Sequence, residues 1–233
     1  NIIENSRKII ASELNASPQE IIFTSGGTES DNMLVRSAVE DLDVKTIIST
    51  KIEHHAILHA LDYLEKKNIS IVYLPVDKNG EFKYQDLENA LSFDDSKKLV
   101  SLMHVNNEIG NMIDLEYVSQ ICQSNGALFH TDAVQSIGHF KIDLTKIRVD
   151  FLSAAAHKFH GPKGIGFSFI RKNSGLNPFI LGGSQEKGLR AGTESVHNIV
   201  GMSKALELAY KNLEEESKYV KDLKKYAISK INK

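Results

Sequence analysis

A single cysteine, Cys122, rules out any intrachain disulfide. No apolar run approaches the length of a membrane span, and none follows a basic N-terminus as in a signal peptide. A dominant charge is missing as well. The 28 basic and 30 acidic residues leave a net charge of −2, so no overall field favours nucleic acid or an anionic membrane as a partner. Internal repeats and low-complexity tracts are absent. These absences point to a cytoplasmic protein that handles a small molecule. Its 233 residues suffice for one large domain, or a domain with an appendage, around a well-buried core. Asn1 is not an initiator methionine and no strand precedes the first helical stretch, so the sequence reads as cut at both ends from a longer chain.

Apolar spacing supplies the elements. Residues 2–14 carry a helical pattern that Ser17-Pro18 closes, and 21–23 form a short apolar strand. Thr24-Ser25-Gly26-Gly27-Thr28-Glu29-Ser30 then leads into a second helix reaching about Val39. Strands are expected at 46–49, 69–75, 98–105, 127–130, 149–156 and 165–170. Helices are expected from Glu53-His54-His55-Ala56 onward, at 84–91 and at 115–123. Strands alternating with helices predict an α/β fold, a three-layer α/β/α arrangement around a mostly parallel mixed sheet. The boundaries expected are a large domain over 1–200 and one long helix over 195–233, running towards Asn232. The charge run from Glu214 to Lys225 reads as that helix's solvated face.

Polar residues collect where strands end. In open α/β sheets the ligand crevice lies at the carboxyl ends of the strands, so Thr28, His54, Asn107, Asp132, Gln135 and Lys158 are expected to face one pocket. Strand, glycine turn and helix start at 21–30 offer backbone N–H groups to a phosphate, although such turns also merely cap helices. Lys158 falls where an apolar strand meets the turn residues Gly161, Pro162 and Gly164. Enclosed by small apolar neighbours, its amine would lose hydration and become free to form a Schiff base; the plain alternative is an exposed loop lysine. Asp132 is either a turn residue or a buried carboxylate facing a pyridinium nitrogen. His54 is either an ordinary helix-start histidine or a ring that stacks on a flat cofactor. A metal site built from His54, His55, His130, Asp132, His157 and His160 ranks lower, because no Cys pair or His-Glu-x-x-His spacing is present.

Six stretches carry a resemblance when taken together. They are Phe23-Thr24-Ser25-Gly26-Gly27-Thr28-Glu29-Ser30, Glu53-His54, Met103 to Gly110, His130-Thr131-Asp132-Ala133-Val134-Gln135-Ser136, His157 to Gly164, and Arg190-Ala191-Gly192-Thr193. In this order they resemble the cysteine desulfurases of the class V aminotransferase family, pyridoxal-phosphate enzymes of fold type I. The resemblance implies that Lys158 holds pyridoxal phosphate and abstracts the substrate's α-proton. It implies that Asp132 pairs with the ring nitrogen, Gln135 and Asn107 bond the phenolic oxygen, and His54 stacks on the ring. Gly27, Thr28 and His157 would bind the phosphate, and Thr193 would reach the phosphate of the neighbouring subunit in a homodimer. Ala155 departs from the pattern, standing where many members carry a phosphate-binding serine. The activity implied is conversion of L-cysteine to L-alanine, with sulfur passed to an enzyme cysteine for iron–sulfur clusters or thio-modified RNA and handed on to an acceptor scaffold protein. Cys122 is not that cysteine, since it lies in a large-domain helix and reads as a core thiol. The family's small C-terminal domain, which carries the reactive cysteine, is absent from this sequence. Selenocysteine cleavage, transamination and a non-catalytic scaffold are the rival readings.

Overall fold

The computed structural model describes residues 1–231. Seven strands, β1 (Ile21–Thr24), β2 (Thr46–Thr50), β3 (Ser70–Leu74), β4 (Lys98–Ser101), β5 (Leu128–Asp132), β6 (Phe151–Ala155) and β7 (Gly166–Ile170), form one sheet. Their order is β1-β7-β6-β5-β4-β2-β3. β7 runs antiparallel to both its neighbours, and the other pairings are parallel. The mostly parallel mixed sheet expected from the alternation is therefore present.

Strand side chains alternate between two apolar layers. Ile22, Ile47, Leu99 and Phe151 point into one, against α2 (Gly27–Leu42) and α3 (His55–Glu65). Their neighbours Phe23, Ile48, Val100 and Leu152 point into the other. That second layer is covered by α1 (Ile2–Glu13), α4 (Tyr84–Leu91), α5 (Leu115–Ser124) and α6 (Val196–Lys211). Helices on both faces explain why the strands read as continuous apolar runs.

Three expectations need correction. The strand expected over 98–105 pairs regularly only as far as Ser101. Beyond it, Asn106 Oδ1 accepts the backbone N–H groups of Glu108 and Ile109 and turns the chain back, so that Val105 bridges Met112. The helix expected over 195–233 is two, α6 and α7 (Leu213–Ile231), broken at Asn212, whose N–H bonds to Leu208 O. Its expected end at Asn232 lies outside the described residues. α6 buries Ile199, Met202 and Leu206, whereas α7 buries no residue, and Tyr219, Val220, Leu223 and Tyr226 are exposed. The solvated face extends around the whole helix. The third concerns Lys158, which lies on a short 3-10 turn after β6, half-buried rather than enclosed.

A buried ion pair ties the start of the fold to the segment before α6. Arg7 on α1 reaches both carboxylate oxygens of Glu186 at 2.7 and 2.8 Å and also donates to Ile21 O. Glu186 in turn accepts the N–H of Phe23 on β1. The backbone at Glu186 and Lys187 is left-handed, with φ of 46° and 60°, and Lys187 Nζ caps Pro18 O and Gln19 O.

Candidate active site

The carboxyl ends of the parallel strands open into a cavity of about 390 Å³. Eight of the nine residues named from the sequence line it: Gly27, Thr28, His54, Asn107, Asp132, Gln135, His157 and Lys158. Thr193 does not; it is exposed on the segment that follows Arg190.

One wall is the start of α2. Gly26 has φ +148°, which L side chains rarely adopt, and no side chain caps the helix, so its first N–H groups have no side-chain acceptor. A Cβ on Gly27 would meet Val134 Cγ2 at 2.7 Å, so this turn packs directly against the segment after β5. Glu29 braces it: Arg190 Nε donates to Glu29 Oε1 at 2.7 Å, and Ser25 N to Glu29 Oε2 at 2.8 Å. Burial opposes the Glu29 charge, yet these donors hold its carboxylate below the ordinary range.

His54 is the N-cap of α3, and its Nδ1 accepts the N–H of Ala56 at 3.1 Å. The histidine at this helix start therefore caps α3, and its ring lines the cavity as well. With Nδ1 accepting, the proton of the neutral ring sits on Nε2. Asn107 is exposed and donates to Glu108 Oε1 at 2.8 Å. His157 is exposed, and the small part of it that is buried, with Lys158 and Lys163 nearby, lowers its pKa.

The floor is acidic. Asp132, 4% exposed at the end of β5, accepts the N–H of Val134 at 2.9 Å. Burial raises its pKa, while that N–H, His54 and Lys158 pull it back. Glu53 accepts from Thr50 Oγ1 and from Met103 N, and burial with Asp132 nearby raises it to about 8. Asp31, one helical turn beyond Gly27, lines the cavity with Asp132, whereas Glu53 lies outside its lining. The sequence reading gave roles to neither Asp31 nor Glu53, although the i,i+4 spacing of Gly27 and Asp31 places both on one face of α2.

The histidines do not converge as a metal site. His130 is fully buried, its Nδ1 2.9 Å from Ser101 Oγ and its Nε2 3.1 Å from Ser153 Oγ, and burial lowers its pKa to about 3. Among the described residues no group of three or more His, Cys, Asp or Glu side chains is arranged to hold a metal ion. Cys122 is 1% exposed within α5, and burial pushes its thiol pKa up, as befits a core residue.

The donor set fits a molecule with an anionic group, a carbonyl and a protonated ring nitrogen. The uncapped start of α2 suits the first, the Lys158 amine the second and buried Asp132 the third.

The class V aminotransferase family model matches residues 1–233, and the chain belongs to that family. Relatives named cysteine desulfurase IscS include that of Dictyoglomus turgidum, 46% identical over 99% of this chain and 59% of the relative. That of Methanosarcina thermophila is 46% identical over 93% of this chain and 54% of the relative. A solved NifS-like protein superposes with a TM-score of 0.93 at 42% identity, covering 98% of this chain and 63% of the other. A structure described as SspA in complex with cysteine gives 0.84 at 37% identity, covering 89% and 60%. The chain thus spans little more than half the length of the curated relatives it matches.

Proposed function

We propose that this chain is the pyridoxal-phosphate-binding domain of a cysteine desulfurase, which releases the sulfur of L-cysteine and leaves L-alanine. The observation that carries the reading is the convergence of eight of nine expected residues on one cavity, with a lysine, a buried aspartate and a helix N-terminus at its walls. Similarity to relatives named cysteine desulfurase supports the choice within the family.

In this reading each residue has a task. Gly27, Thr28 and His157 hold the phosphate at the start of α2, where unpaired N–H groups and the helix dipole favour an anion. Asp132 keeps a proton on the ring nitrogen, its burial making the pairing stronger than in water. Gln135 and Asn107 would bond the phenolic oxygen. His54, fixed by its bond to Ala56, would stack on the ring from the cavity wall. Lys158 Nζ would supply the amine for the aldehyde and would take the α-proton of cysteine. Bound pyridoxal phosphate supplies an electron sink for the carbanion that this proton loss leaves. Ala155, at the end of β6, offers no hydroxyl to the phosphate, a loss of about 1 kcal/mol.

The thiol that accepts the sulfur is not Cys122, which is enclosed. The reading assigns it to the part of the relatives' length that this chain does not span, together with the small domain that follows the long C-terminal helices. Thr193, exposed and off this cavity, fits a role at the neighbouring subunit's phosphate in a homodimer. Hand-over to a sulfur-acceptor protein and a cytoplasmic location complete the proposal.

The test is alanine release. The full-length protein with pyridoxal phosphate should form alanine from L-cysteine, and Lys158→Ala should abolish it. Transamination without sulfur release would refute the assignment within the family.

A further inference from the structure

We propose that Asp31 is a positioning residue that carries a proton and donates into the Ser153–His130 pair, leaving Asp132 as the carboxylate that answers a cation in the cavity. The inference rests on the cavity being the pyridoxal phosphate site.

Geometry carries the argument. Asp31 is 1% exposed, and its Oδ1 has no hydrogen-bond partner. Among the described residues it makes no ion pair with any lysine or arginine; its nearest basic group is His130 Nε2, 3.6 Å away. That ring is no cation, because it is wholly buried between two serine hydroxyls. An ionised Asp31 would therefore be a desolvated charge without a counterion, among the costliest arrangements in a protein interior. A proton on Oδ1 turns the orphaned acceptor into a donor beside His130 Nε2 and the Ser153 hydroxyl bonded to it.

The surroundings agree. Two other carboxyls, Asp132 on β5 and Glu53 before α3, act on Asp31 from neighbouring elements. Burial first, then Asp132, raises the Asp31 pKa well above its ordinary value, with the Ser153 hydroxyl opposing. Asp132 differs in one respect: His54 and Lys158 both favour its charged form. Two neighbouring carboxyls with environments of this kind divide the roles of acid and base between them. Asp31 keeps the proton and Asp132 gives it up. Were both ionised, each would oppose the other's charge on the cavity floor.

Two measurements test this. The first needs no cofactor: the infrared carbonyl band of a protonated carboxylic acid is recorded at pH 7 for wild type and Asp31→Asn. The difference spectrum should show one such band lost. No loss would mean that Asp31 is ionised and would overturn the proposal. The second titrates wild type, Asp31→Leu and Asp31→Asn with pyridoxal phosphate, each checked for folding by circular dichroism. Asp31→Leu should bind at least about tenfold more weakly, because His130 and Ser153 lose their neighbour, and Asp31→Asn should recover most of the loss. An Asn variant as weak as Leu, or a Leu variant as tight as wild type, overturns the proposal. Wild type failing to bind pyridoxal phosphate would instead refute the cofactor assignment, and the infrared result would still decide where the proton is.

Discussion

Glu186→Gln should be among the most destabilising single-atom changes in this chain. The wild-type carboxylate accepts two bonds from Arg7 and one from the N–H of Phe23, all between 2.7 and 2.8 Å. The Arg7 and Glu186 side chains are 3% and 2% exposed. The amide keeps one acceptor oxygen and turns an NH2 towards a guanidinium that has only donors, so Arg7 is left as a buried charge. Its remaining acidic partner, Glu4, is half-exposed and bonds only Nε. Breaking a buried pair by removing one partner costs about 3 to 5 kcal/mol. For a domain of this size that lowers Tm by about 6 to 20 °C. Replacing both groups, as in Arg7→Met with Glu186→Leu, should cost less than either single change, because no charge is then stranded. Urea unfolding of wild type, Arg7→Met, Glu186→Leu and the double variant completes the cycle, with Glu186→Gln measured beside it. A single-variant loss below about 1 kcal/mol, or additive losses, would refute the view that this pair is desolvated and coupled.

Glu53 sets a pH dependence. Its pKa rises from 4.5 to about 8 in the folded state, so the folded chain keeps a proton that the unfolded chain releases. The stability contributed by this group is full below pH 4.5 and is lost as pH rises towards 8, and Glu53→Gln should flatten that decline in urea titrations at several pH values. Gly27→Ala should weaken pyridoxal phosphate binding by about tenfold or more, since the new methyl meets Val134 Cγ2 at 2.7 Å and must displace one wall of the cavity. Val134→Ala in the same chain should restore much of the loss in a spectroscopic titration. The Cys122 thiol should resist a thiol reagent in the native protein and react once it is unfolded; rapid native labelling would contradict its burial in α5.

The sheet was legible because each strand is a short apolar run between turn residues, and the pocket was legible because polar residues follow those runs. Asp132, Gln135 and Lys158 needed no more than that rule. What escaped depends on contacts far apart in sequence. Asp31 looks like any polar residue in a helix until His130 on β5 is brought against it. Arg7 and Glu186 stand 179 residues apart, and neither has a local pattern that announces the other. The break at Asn212 lies inside a stretch whose helical periodicity continues on both sides, so spacing alone could not mark it. Capping α3 through Nδ1 fixes the His54 ring at the cavity, a contact that only the fold brings together.

The central claim is that Lys158 presents a reactive amine to an aldehyde cofactor in this cavity. Adding pyridoxal phosphate to the purified chain, reducing with borohydride and mapping the labelled peptide tests it directly. The account predicts a visible absorption band that reduction removes and a single modified residue, Lys158. A folded chain that gives no band, or that carries the label on Lys163 or on lysines scattered over the surface, would contradict it.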